Sequence, residues 1–180
     1  MKLKEILLYA IIAVLIIASG YFILQNNTKA SELDRANRYI NDLMIISSVG
    51  TIQSAHLHAD FAIYINNKKI DLSQQKYQVR AQHVHVEDGM EVIHIHAKGI
   101  RLGHFLSSIG FKLTGDCITT DTGNFCTDGK SSLKFYVNGK RNNDFESYEI
   151  KDMDKILISY GNESELKKQI DSVTKKQQTY

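Results

Sequence analysis

Six of the seven histidines in this 180-residue chain fall into three His-x-His pairs: His56/His58, His83/His85 and His94/His96. Seven histidines scattered at random over that length would form roughly a quarter of one such pair. Each pair lies in a run that alternates apolar and polar residues, and in a β-strand residues i and i+2 point to the same face. Each pair therefore sets two imidazoles side by side, and three pairs could gather six on one surface. Imidazole is the commonest protein ligand for copper, zinc and nickel. A single His-x-His is ordinarily two solvated residues, but three of them opposite apolar strand faces point to metal ligation. A donor set made only of nitrogen suits Cu(II), Zn(II) or Ni(II), and the affinity order favours copper, with zinc the alternative. Asp60 and Glu87 continue the same faces. They are surface charges, or else ligands or acceptors that fix imidazole tautomers. His104 stands apart, in the first turn of a short helix, where it is expected to be exposed.

The elements that must position these rings can be read from the apolar pattern. Leu57, Ala59, Phe61, Ile63 and Ile65 face one way, and His56, His58, Asp60, Ala62 and Tyr64 the other. Asn66-Asn67 reads as a hairpin turn, with the return through Ile70 and Leu72. A second alternating run, 79–87, puts Val84 and Val86 on one face and His83, His85 and Glu87 on the other. Asp88-Gly89 turns the chain, and the return strand sets Ile93, Ile95 and Ala97 opposite Val92, His94 and His96. A four-residue loop, 88–91, would pair His85 with His94 and His83 with His96, whereas a two-residue loop would pair His83 with His94. Either register keeps these four histidines on one face, because the apolar sets must match. Directly opposed Cβ atoms lie about 5 Å apart, within reach of a shared ion. Whether His56 and His58 join that hairpin, making one site rather than two, is left open by the pattern. Leu102, Phe105, Leu106 and Ile109 then form one helical stripe stopped by Gly110, suited to cover the Val84/Val86/Ile93/Ile95 face. Strands are expected over 133–137 and 155–160, the first closed by an Asn138-Gly139 turn. Residues 162–180 form a polar, lysine-rich tail with Leu166, Ile170 and Val173 at weak helical spacing, expected to fray or to form an exposed helix.

The compartment follows from the first 24 residues. Lys2 and Lys4 precede a run, 6–24, that carries no charge. Nineteen residues of helix span roughly 28 Å, close to a bilayer's hydrocarbon thickness. Ala18-Ser19-Gly20 offers a cleavage site for a signal peptide, but Tyr21-Phe22-Ile23-Leu24 continues the apolar run past it, which favours an uncleaved anchor. In both cases the basic tip, 1–5, stays in the cytoplasm and the rest is exported, giving a single-pass protein of the cell membrane with its C-terminal domain outside. Segment 25–50 reads as a polar linker, Gln25 to Ala30, and then an amphipathic helix opened by the capping-box pattern Ser31-Glu32-Leu33-Asp34. Cys117 and Cys126 fit an oxidising compartment as a disulfide across a hairpin whose turn is Thr120-Asp121-Thr122-Gly123. They lack the Cys-x-x-Cys spacing that tunes thiol reactivity, and they lie too far along the chain to complete a thiolate metal site. A net charge of +2 with 23% charged residues, acids and bases interleaved, argues against nucleic acid as a partner.

The order of elements suggests an α+β protein: a transmembrane helix, then a β-grasp-like domain over 51–161 with a mostly antiparallel sheet and one packed helix. Leu133-Lys134-Phe135-Tyr136-Val137-Asn138-Gly139-Lys140, followed by Tyr148-Glu149-Ile150-Lys151-Asp152-Met153-Asp154-Lys155-Ile156, resembles the end of the β-grasp domain found at the C-terminus of transcobalamin. The resemblance covers residues 79–161 and departs at Met153, where those domains usually have Gly. No corrin-contacting motif carries over. The wider pattern, with His-x-His before the Tyr64-Ile65-Asn66 strand end, the Val84-His85 and Ile93-His94-Ile95-His96-Ala97-Lys98-Gly99 runs and paired cysteines, is similar to membrane-anchored exported proteins of ammonia-oxidising archaea. Copper proteins are abundant in such organisms, so this resemblance implies copper. Arg101 and His104 depart from the Thr cap and following Asp usual there, which sets His104 outside any shared ligand set.

These readings converge on a membrane-anchored extracytoplasmic protein that binds copper or zinc through His56, His58, His83, His85, His94 and His96, for metal capture, storage or delivery. The alternative is a β-grasp module of the cell envelope that binds a protein or glycan without metal. Enzymatic activity is left undecided, since a catalytic metal needs an open position and a poised acid or base, and no substrate pocket is legible.

Overall fold

The computed structural model describes residues 3–162 and 164–176. The chain divides into two compact units, Met1–Ser47 and Ser48–Tyr180. Lys2, and the tail residues 163 and 177–180, lie outside the described residues.

The first unit is one helix, α1 (Leu3–Ser47), 45 residues long. Its apolar part is long enough to cross a membrane, and none of it is buried. The expected linker at Gln25 to Ala30 does not interrupt it. Nothing in that stretch is Gly or Pro, so no residue forces a break. Ser31 does not cap a new helix; its hydroxyl donates instead to the Thr28 carbonyl one turn back (2.8 Å).

The second unit mixes strands and helices around a seven-stranded sheet. Its strands are β1 (Leu57–Ile65), β2 (Lys68–Lys69), β3 (Val84–His85), β4 (Val92–Ile95), β8 (Ser132–Val137), β9 (Lys140–Arg141) and β10 (Lys155–Gly161). The spatial order is β3-β4-β1-β10-β8-β9, with β2 added to the far end of β1. Only the central β1–β10 pair is parallel; the others are antiparallel. Two turns close as the sequence predicts. Asn66 and Asn67 (φ 48° and 67°) and Asn138 and Gly139 (φ 51° and 75°) each take two successive left-handed residues, the geometry that matches strand twist in a two-residue hairpin.

The alternation along β1 sorts its side chains to two faces. Ala59, Phe61 and Ile63 join Val84, Val86, Ile93, Ile95, Phe135, Ile156 and Ile158 in the main core, roofed by Leu102, Phe105 and Leu106 of α2 (Leu102–Ser108). Ala62 and Tyr64 face the other side, where α3 (Leu166–Thr174) lays Ile170 and Val173 on Leu157 and Tyr136. The sheet thus carries two packed helices, not one. The tail helix is not the exposed one that its polar composition suggests: Gln169 and Val173 are buried, and Gln169 Oε1 accepts the Ser159 hydroxyl (2.6 Å). One apolar residue per turn is enough once the sheet presents an apolar face, here Ala62, Leu157, Tyr64 and Tyr136.

A small three-stranded sheet, β5 (Lys112–Leu113), β6 (Cys117–Thr120) and β7 (Gly123–Cys126), flanks the core. Cys117 stands directly opposite Cys126 and is bonded to it. Opening this bridge by Cys117→Ser with Cys126→Ser is expected to cost about 3 kcal/mol, through the entropy regained by the unfolded loop. Denaturant titration of the double variant against the parent checks this; equal midpoints would rule it out.

Candidate metal centre

The backbone gathers the histidines before any side chain is considered. β4 lies between β1 and β3, with His94 opposite His58 on one side and opposite His85 on the other. Leu57 pairs with Ile95 and Val84 pairs with Ile95, so both registers keep apolar against apolar. The β3–β4 register is the one set by the four-residue loop, and the His96 N–H donates to the His83 carbonyl one step further on (2.9 Å). His56 extends β1 beside His96. The chain before it is pinned there: Gly50 and Gln53 donate to the Lys98 and His96 carbonyls (2.8 and 2.6 Å), and Gly99 (φ 73°) lets the Ser48 carbonyl approach where a Cβ would collide. Strand pairing thus brings five of the six paired histidines together, on the half of the outer sheet face that α3 leaves uncovered.

Five rings make that cluster. Ring centroids are 4.8 Å apart for His58 and His94, 4.9 Å for His56 and His58, 5.2 Å for His56 and His96, and 5.1 Å for His85 and His96. His85 and His94 lie nearly parallel at 6.0 Å. Only His56 is exposed; His85 and His94 are each 7% exposed, too little for solvated surface residues.

His83 is the exception among the six. β3 begins at Val84, so His83 lies just outside the strand, and it lines a separate cavity with Arg80, His104, Ser107 and Ser108. His104 is not exposed as expected but partly buried, with Nδ1 accepting the Arg101 N–H (3.1 Å) at the start of α2. A helix's first N–H groups need acceptors, and position N3 is where a side chain reaches back. That spacing was legible in the sequence.

Glu87 and Asp60 diverge in role. Glu87 lies between two rings, Oε2 3.2 Å from His85 Nε2 and Oε1 3.4 Å from His94 Nδ1. His85 Nδ1 in turn lies 2.8 Å from the Ala81 carbonyl, so that nitrogen carries a proton, while Nε2 is taken up by Glu87. His94 Nδ1 is turned to that carboxylate, and its buried Nε2 has no hydrogen-bond partner among the described residues. Asp60, 1% exposed, is instead taken up by Lys155 Nζ (3.0 Å) and Lys176 Nζ (3.2 Å). It anchors the end of α3 and is not available to an ion.

Burial holds the His94 imidazole below its usual range, with Glu87 opposing the shift and His58, His85 and His96 adding to it. Burial also lowers His96, His83 and His104. A histidine kept neutral by the fold takes up its proton when the chain unfolds, so the unfolded state binds more protons below the reference value of 6.5. This stabilisation is complete above that pH and is lost as pH falls through the depressed folded values. The metal-free protein should therefore melt at distinctly lower temperature at pH 5 than at pH 7.5. A melting temperature that rises on acidification would contradict the sign.

Among the described residues, no three His, Cys, Asp or Glu side chains already converge in a geometry that holds a metal ion. The rings meet mainly edge to face, as free imidazoles pack. No protein-family model matches the chain, and neither do any of the curated proteins or solved structures it was compared with.

Proposed function

We propose that this protein is anchored in a membrane by α1 and binds copper, or alternatively zinc, through the histidine cluster of its extracytoplasmic domain, serving metal capture, storage or delivery. The observation that carries this reading is the buried, unpartnered Nε2 of His94. A buried acceptor without a partner costs about 1–3 kcal/mol, and it is the lone pair a metal ion would use. On this reading Glu87, beside Nδ1 of His94, would orient that ring, and the Ala81 carbonyl holds a proton on Nδ1 of His85, whose Nε2 would exchange its Glu87 contact for the ion. His94 and His85, with His58, His96 and His56, would be the donors; His83 is not among them. Side-chain rotation about fixed backbone positions would be enough to bring the rings round an ion. Bound there, the ion would supply charge and a Lewis-acidic centre. On this reading the domain lies outside the cytoplasm, a compartment in which the disulfide would persist.

We also read the domain as β-grasp-like. Support comes from the two parallel central strands, β1 and β10, each flanked by an antiparallel partner, with α2 in the connection between the two halves. The full-length protein, purified in detergent and loaded with Cu(II) or Zn(II), should retain stoichiometric metal after exchange into metal-free buffer. It should release that metal as pH falls below about 6.5, when imidazoles take up protons. Elemental analysis showing negligible metal at pH 7.5 would end the proposal.

A cleft of about 340 Å³ favours a second reading, a partner-binding module. Ile65, Ile70 and Tyr77 line it together with Lys68, Lys69, Lys76, Asp71 and Asp121, an apolar floor with a mixed polar rim suited to a protein segment or a glycan. Capture of such a partner that survives chelation would favour it.

A further inference from the structure

The cavity that receives His83 has a chemistry of its own. It measures about 360 Å³ and is lined by Arg80, Ala81, His83, His104, Ser107 and Ser108, with no carboxylate among them. Because His104 Nδ1 accepts the Arg101 N–H, the proton of its neutral ring is on Nε2. To ligate a metal through Nε2 the ring would have to surrender that proton or its backbone bond. His104 is therefore a hydrogen-bond donor here and not a ligand. Arg80 makes no ion pair among the described residues, and its planar guanidinium matches an oxyanion's geometry. The Ser107 side chain, on the exposed side of α2, adds a hydroxyl at the rim. Donors from two separate segments thus line one open depression that has no carboxylate among its lining residues.

We propose that this pocket binds a small oxyanion, a phosphate, sulfate or carboxylate group, through Arg80, His83 and the Nε2–H of His104. The site is separate from the histidine cluster and does not depend on that cluster holding a metal. His104→Glu provides a sharp variant. Glutamate is a usual residue at the third position of a capped helix, because its side chain accepts the same backbone N–H. The variant thus keeps the cap while replacing a donor by a negative charge. Arg80→Gln, at an exposed position, removes the cation with little risk to the fold.

The test titrates inorganic phosphate, methyl phosphate and acetate into the full chain in detergent, with chelator present, following the imidazole nitrogens by NMR. Saturable shifts confined to His83 and His104, with His56 and His58 unmoved, support the site, and the anion that gives them names the group. His104→Glu should weaken binding at least about tenfold, as a like charge set beside the anion does, and Arg80→Gln by about tenfold through loss of a charged partner. Should His104→Glu fail to fold, Arg80→Gln decides alone. Shifts that never saturate with any of the three, or affinity unchanged in Arg80→Gln, would overturn the proposal.

Discussion

Replacing His94 by alanine should abolish metal retention, while replacing His83 should leave it nearly untouched. The two positions look equivalent in the sequence, each one half of a His-x-His pair, so the contrast tests the tertiary arrangement and not the mere number of histidines. His94 is central: it faces His58 across one strand boundary and His85 across the other, and its Nε2 is the unpartnered atom. Removing a residue that only orients a ligand typically costs 10–100-fold in affinity, so Glu87→Gln should lose roughly that much. His94→Ala removes the ligand itself and should lose more. His83, turned to another cavity, should change affinity by about twofold at most, the scale of an ordinary peripheral substitution. Competition titrations with a chromophoric chelator would measure all three. Equal losses for His83→Ala and His94→Ala would break the assignment even if the protein binds metal.

Asp154→Ala should be the most damaging single change outside the main core, costing about 3–5 kcal/mol, a large share of an ordinary domain's stability. Asp154 is 4% exposed and accepts three hydrogen bonds: from Asn138 Nδ2 (2.9 Å), the Tyr148 hydroxyl (2.8 Å) and the Lys151 N–H (2.8 Å). The other amide atom of Asn138 accepts the Lys155 N–H (2.9 Å), which ties the β8–β9 turn to the start of β10. Burial and the bond to Asp154 hold the Tyr148 phenol well above its usual range, so it remains a donor throughout. Alanine would strand all three donors. The exposed neighbour Asp152 accepts one backbone bond, from His58 (3.0 Å), and its alanine variant should cost well under half as much. Urea unfolding of both variants separates the cases; similar losses would show that the buried network is not what holds this corner.

Much of the strand grammar was legible in advance. The two faces of β1, the left-handed asparagine turns and the Cys117–Cys126 pairing follow from a period of two and from residues that tolerate positive φ. Met153 shows the limit of residue preference. Where a glycine is the easy choice, it holds the left-handed conformation anyway (φ 64°), because the Met153 N–H donates to the His58 carbonyl and Asp154 is fixed beside it. The ends of elements were less legible. The polar stretch 25–30 reads as a linker but continues α1, since only Gly or Pro would break a helix outright. The polar tail reads as exposed, yet α3 docks through few apolar residues against a face the sequence does not announce.

The histidines draw the same line. Their types, their spacing and their place opposite apolar residues are properties of the chain alone, because side-chain direction along a strand is a local matter of two-residue repeat. That fact marked out a face and the class of ligand suited to it. Whether three pairs make one site was never local. It depends on β1 crossing to pair with β4, a contact between segments more than thirty residues apart, and on β3 beginning one residue past His83. Long-range pairing is selected by the packing of the whole core. The same packing buried His94, set Glu87 against it and tied Asp60 to two lysines, dividing look-alike residues into candidate ligand, orienting acceptor and structural anchor.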